Sequence, residues 1–228
     1  MKQFLTLCTA AVLGLLAVSC NLEDVYTVTN ADDIVTVKGE YLESDFGATY
    51  QITEDKTGTT DWKAEGTRLY ALFDILNRNY EISLKEAHPF TIVEADPLAT
   101  PEEETKDPVV VALQNVSGGY MNLALQIFKE KGTESPHTIS FQYRKAPDGS
   151  TLEFFIFHDG NNENPTQIPK DDLKTEIRFY SIPVGDLITS QTSLVTLTLD
   201  ALAQNNEGDY IVTRTTYQLV RGGYNVNK

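Results

Sequence analysis

The chemistry most legible in this chain sits at Cys20. Residues 16–24 read Leu-Ala-Val-Ser-Cys-Asn-Leu-Glu-Asp. A cysteine that follows small residues offers a thiol for alkylation by diacylglycerol and a peptide bond, Ser19–Cys20, for cleavage. The segment before it supports that reading. Met1 and Lys2 form a short positive start, and Phe4 to Val18 carries no charge. A run of about 15 apolar residues is short for a bilayer span and fits the core of an export signal. Ala17 and Ser19 occupy the −3 and −1 places of a cut before Cys20. Cys8 lies too near the start to be a rival site. With both cysteines in the first 20 residues, the body of the chain has none left for a disulfide.

The segment resembles a bacterial lipobox, with Ala17 where leucine is common and Leu16 one place earlier. Lipidation of Cys20 makes the membrane a partner of the chain. One acyl chain holds a protein only marginally, so stable anchoring needs two or more, and a triacylated cysteine meets that condition. The acidic pair Glu23–Asp24 resembles an export tag that places lipoproteins on the outer face of the outer membrane. The expected location is therefore the outer membrane, lipid-anchored and surface-exposed; the alternative is its periplasmic face.

Other reactive side chains give weaker patterns. His88, His137 and His158 fall in three separate segments beside prolines or strand ends, and are expected at the surface. Asp159, Asn161 and Glu163 take positions 1, 3 and 5 of a calcium loop. Asn164 stands where that loop needs glycine, and Lys170 where it needs a bidentate glutamate, so an ordinary polar loop is expected. Glu102, Glu103 and Glu104 read as a solvated run. Neither a nucleophile elbow nor a phosphate-binding glycine loop occurs. The sequence assigns no catalytic residue, no metal ligand and no cofactor, and the chain is read as a protein that is not an enzyme. Trp62 is the single tryptophan. With Tyr70 and Tyr80 it could stack on a sugar ring; the competing reading has Trp62 closing a barrel end.

Composition narrows the partners. The chain has 228 residues and a formal net charge of −15, with a pI near 4.5. Such a charge repels phosphate backbones, so nucleic acid is excluded as a partner. A glycan or a protein remains.

The elements that must carry these residues are strands. From Ile34 the pattern has period two. "GTRLYALFDIL" puts Leu69, Ala71, Phe73 and Ile75 on one face, "NRN" turns the chain, and "YEISLKEA" returns. Short strands over 34–95 fit a small barrel. Residues 96–108, with three prolines and three successive glutamates, read as a linker. From Val109 onward, seven stretches of strand pattern separated by turn residues suggest a β-sandwich. Leu123, Leu125 and Ile127 form one buried face, and Phe154 to Phe157 a strand covered on both sides. One short helix could lie at 185–191.

"TYQITEDKTGTTDWKAEGTRLYALFDIL", "DPVVVALQNVSGGYMNLALQIF", "HTISFQY" and "TLEFFIFHDGNNENPT" are the pieces by which the chain resembles the NigD-like lipoproteins. The resemblance runs over most of 34–220. It implies an all-β chain, an OB-like barrel followed by an immunoglobulin-like β-sandwich, with no established activity and no known catalytic residues. The expected division is a signal peptide at 1–20, a polar tether at 21–33, the barrel at 34–95, the linker at 96–108 and the sandwich at 109–228. The expected role is non-catalytic binding or structure in the cell envelope. Its alternatives are a glycan-binding accessory protein and a subunit of a surface assembly.

Overall fold

A computed structural model describes residues 26–98, 107–134, 136–161 and 163–219. Cys8, Cys20, the pair Glu23–Asp24 and residues 99–106 lie outside these described residues. The fold is all-β.

The first five strands are β1 (Val28–Lys38), β2 (Tyr41–Ser44), β3 (Thr49–Asp55), β4 (Arg68–Ile75) and β5 (Glu81–Pro89). They close into a barrel in the order β1-β2-β3-β5-β4. Side chains alternate along a strand, so every second residue enters the barrel. Leu69, Ala71, Phe73 and Ile75 do so from β4, meeting Val35, Val37, Leu42, Ile82 and Leu84. Each large side chain removed from water contributes about 1.5–3 kcal/mol. The period-two signal in the sequence begins at Ile34, but β1 begins at Val28. Asn30 adopts φ 55°, and the register with β4 shifts between Val28 and Ala31. That irregularity hides the start of the strand, and residues 28–33 pair with β4 instead of trailing as a tether.

After Phe90 the chain leaves the barrel. Two short strands, β6 (Thr91–Ile92) and β7 (Asp96–Pro97), are followed by β8 (Val110–Ser117), β9 (Tyr120–Glu130), β10 (Thr138–Lys145) and β11 (Thr151–Asp159). The last three are β12 (Leu173–Pro183), β13 (Leu194–Gln204) and β14 (Tyr210–Leu219). Two sheets result, in the orders β14-β13-β11-β10-β7 and β6-β12-β9-β8. Residues 91–97, on either side of the expected barrel–linker boundary, thus dock on both sheets. Pro97 can sit in β7 because β7 is an edge strand, where no ladder donor is needed.

The sheets face each other over one core. Leu123, Leu125 and Ile127 are fully buried, with Phe154 and Leu197 opposite. β11 is covered on both faces, since Phe155 is also buried. No helix forms at 185–191. Leu187 and Ile188 both donate to the Val184 carbonyl, and Thr192 Oγ1 accepts from the Thr189 N–H. These side-chain bonds compete with helical ones and end the turn.

Replacing the fully buried Phe154 by Ala should lower unfolding free energy by about 3–5 kcal/mol, read from urea denaturation. Ile177→Ala, at a position 51% exposed, should change it by about 0.5 kcal/mol or less.

Candidate functional site

Two clusters of buried polar side chains stand out in this fold. One lies in the seam between barrel and sandwich. Arg68, at the start of β4, faces away from the barrel interior and is 5% exposed. Its guanidinium grips Asp45 with two parallel bonds, Nη1 to Oδ1 at 2.9 Å and Nη2 to Oδ2 at 2.6 Å. Nη2 also donates to Asn122 Oδ1 on β9 at 3.2 Å, and the Tyr120 ring lies 4.2 Å from Cζ. From the sandwich, the Ser117 hydroxyl donates to Asp45 at 2.7 Å. Asn122 Nδ2 donates to Asn115 Oδ1, and the Ser181 hydroxyl donates to Asn122 Oδ1. β8 and β9 therefore each bring a polar residue to the barrel's ion pair, and β12 braces Asn122 through Ser181. A planar fork suits a buried carboxylate, because it fills both oxygens at once. Gly118 makes room for the approach. Its φ is +57°, and a Cβ there would stand 2.4 Å from Asp45 Oδ1.

Beside the ion pair lies a stack of rings. Phe179 of β12 lies flat on His88 at 4.9 Å and on Tyr70 at 6.0 Å, and Phe90 meets it edge-on. Tyr70 and His88 are cross-strand partners on β4 and β5. Tyr70 also bonds Asp32, whose carboxyl burial pushes up from its ordinary range.

The second cluster lies inside the sandwich. His137 and His158 are 7% and 4% exposed, which corrects the expectation that both sit at the surface. His137 Nδ1 and His158 Nε2 are 3.0 Å apart. His158 Nδ1 faces the Asp107 carbonyl at 3.3 Å. A carbonyl only accepts, so this nitrogen carries the proton and Nε2 accepts from His137. His137 Nε2 faces Glu163 Oε2 at 3.3 Å. Glu163 further accepts from the Glu130 N–H at 2.8 Å and the Thr133 hydroxyl at 2.7 Å. Asp107 Oδ2 accepts from the Gly160 N–H at 2.7 Å. Desolvation, followed by the neighbouring His137, lowers the His158 pKa to about 4.

The calcium-loop residues separate here. Asp159 bonds the Asn161 N–H in a local turn, while Glu163 points inward to His137. Among the described residues no group of three or more His, Cys, Asp or Glu could hold a metal ion. His137 sits between its neighbours and offers each a different nitrogen, so the ligand atoms do not converge.

The three aromatic residues singled out in the sequence are dispersed. Trp62 is 3% exposed and belongs to the barrel core, with Nε1 donating to Thr57 Oγ1 at 3.1 Å. That corrects the reading of Trp62 as an open stacking surface, because the indole face is packed in the barrel. Tyr70 stacks on Phe179 of its own chain. Tyr80 is 38% exposed and touches Tyr50 edge-on at 5.9 Å. Of the seam residues, only Asn122 left a trace in the sequence, as one of two amides inside the otherwise apolar "YMNLALQIF".

The arrangement can be set against known proteins. No family model matches the sequence, and no curated protein matches it. Solved structures do. A protein of unknown function, DUF1344, from Bacteroides vulgatus ATCC 8482 is 14% identical, with a TM-score of 0.57 over 83% of this chain and 90% of that one. A NigD-like immunity protein from Bacteroides caccae ATCC 43185 is 16% identical, with a TM-score of 0.54 over 83% and 97%. The chain has the NigD-like fold. A candidate lipoprotein from Bacteroides fragilis NCTC 9343, 11% identical, shares it with a TM-score of 0.51 over 85% and 98%. The coverage includes both units, so the NigD-like fold is matched as barrel plus sandwich.

Two predictions follow from the clusters. Arg68→Ala leaves a buried carboxylate without its cation and should cost about 3–5 kcal/mol in urea denaturation. Pairing Arg68→Met with Asp45→Asn should cost less than Arg68→Ala alone. The second concerns acid. His158 has a folded pKa of about 4 against 6.5 unfolded. The unfolded chain therefore binds more protons between these values. His158 stabilises fully above pH 6.5, and the effect, on the order of 3 kcal/mol, fades as pH falls through 4. His158→Gln should flatten that part of the stability–pH curve. Asp33, pushed up by burial inside the barrel, acts with the opposite sign and should leave a residual slope.

Proposed function

We propose that this chain is a lipid-anchored cell-envelope protein, held through Cys20, that works by binding or scaffolding. The observation that carries the non-catalytic part is how the buried ionisable groups are used. Arg68 and Asp45 hold each other, and Glu163 is bonded to His137, Thr133 and the Glu130 backbone. Asp33 accepts the Tyr50 hydroxyl at 2.9 Å and the Ile34 N–H at 2.7 Å. A general acid or base must reach a substrate proton, and these groups are turned onto one another. Anchoring rests on the sequence around Cys20 and agrees with the candidate lipoprotein that shares the fold. Glu23–Asp24 supports display on the outer face of the outer membrane. The NigD-like neighbour is described as an immunity protein, and protection by binding is one form that this role can take. A protein partner suits the acidic surface; the burial of Trp62 weighs against the glycan reading.

Growing cells on labelled palmitate should label the parent chain, whereas Cys20→Ala should abolish the label and release the protein to the soluble fraction. Protease added to intact cells should then remove the anchored protein. Protection from it would move the chain to the periplasmic face.

A further inference from the structure

The two ends of the barrel differ. β1, β3 and β5 start at one end, where β2 and β4 finish, because β3 and β5 run parallel and β4 runs against both β5 and β1. The chain enters there, and so do the turns at 45–48 and 76–80. The Tyr80 carbonyl accepts from the Gln51 N–H, which ties the second turn to the start of β3. This end exposes Phe46 at 48%, Leu76 at 36% and Tyr80 at 38%. Tyr80 sits in the turn at φ 58°, its ring edge-on to Tyr50 and partly open to solvent. The charges of the two turns are Asp45, already gripped by Arg68, and Arg78. The opposite end carries Glu40, Asp55, Lys56, Asp61, Lys63 and Glu65 around one exposed ring, Tyr41.

We propose that the Phe46–Leu76–Tyr80 end of the barrel is a lipid-contacting surface that rests on the membrane beside the acylated Cys20. The inference depends on the anchoring proposed above and adds an orientation to it. Chain length argues for the occupant. Tyr26 packs against the barrel core, and it lies six chain steps after Cys20. Fully extended, six steps span at most about 20 Å. The anchor therefore holds this end, and not the charged one, within that distance of the lipid. Charge argues the same way. In a chain of net charge −15, these turns carry Asp45, already paired, and Arg78, with Glu81 just after them, whereas the other end carries Glu40, Asp55, Asp61 and Glu65, so repulsion from a phospholipid surface is weaker here. Aromatic rings and leucine suit the headgroup level, where an apolar body and a polar tip are both accommodated. The contact also gives a second foothold beside the acyl chains.

The test attaches the chain from Cys20 onward to vesicles through a maleimide lipid, so its outcome does not depend on acylation in cells. Phe46→Trp and, separately, Leu76→Trp place a reporter at the proposed surface. Tyr41→Trp places one at the far end, and buried Trp62 serves as the internal reference. Phosphatidylcholine vesicles are compared with brominated phosphatidylcholine, which quenches tryptophan within the acyl region. The Phe46 and Leu76 reporters should lose about half of their added emission on brominated vesicles, as for a surface buried about 5–10 Å into the interface, while the Tyr41 reporter stays bright. Equal brightness of all three on coupled vesicles would overturn the proposal and leave the anchor intact. A change that follows protein density and not bromination would also overturn it, and would identify a second copy as the occupant.

Discussion

The barrel and the sandwich meet around one buried ion pair. Arg68 and Asp45 both belong to the barrel, yet Asn122 and Ser117 of the sandwich add a bond to each, while Arg68 Nε is left without a partner. A buried charge without a partner is costly, and a half-satisfied one nearly as much so. The pair therefore tolerates the seam only when the sandwich is in place. Asn115, Ser117, Asn122 and Ser181 project from the outer face of their sheet, which would otherwise meet water. The barrel uses that face as its second wall, and the stack of Phe179 on Tyr70 and His88 extends the contact with apolar area. Directional bonds fix the relative placement while ring burial adds adhesion.

The same economy of polar groups appears within the sandwich. The histidine pair and Glu163 tie the start of β10 to β11 and to the loop after it, where the backbone leaves regular pairing. His158 must remain neutral to stay there, so acid opposes this part of the core. The barrel interior contains Asp33, Tyr50 and Ser44 in an analogous closed set, and there acid acts in the other direction. These two buried groups, His158 and Asp33, thus respond to pH with opposite signs.

What could be read in the sequence follows from what is periodic. Leu69, Ala71, Phe73 and Ile75, and again Leu123, Leu125 and Ile127, reveal their shared faces because alternation is a local property of strands. The all-β build and the barrel-then-sandwich order were legible for this reason. The start of β1 was not, because Asn30 breaks the period. The two polar clusters were hidden for a different reason. Arg68 and Asn122 are 54 positions apart, and His137 and His158 are 21 apart; only closure of the sheets brings them together. The histidines looked like surface residues because each lies near a turn, and turns near a sandwich end can still fold inward. Trp62 sits in a polar loop, and nothing local shows that the loop plugs the barrel.

A protein tethered at one end of a barrel can present its far side in a fixed direction only if barrel and sandwich move together. The seam makes that the central physical claim about this molecule. Differential scanning calorimetry near neutral pH tests it most directly. One cooperative transition, with calorimetric and van't Hoff enthalpies equal, is the result expected of two units joined through the Arg68–Asp45–Asn122 contact. Two separate transitions, one with the enthalpy of the barrel and one with that of the sandwich, would contradict it.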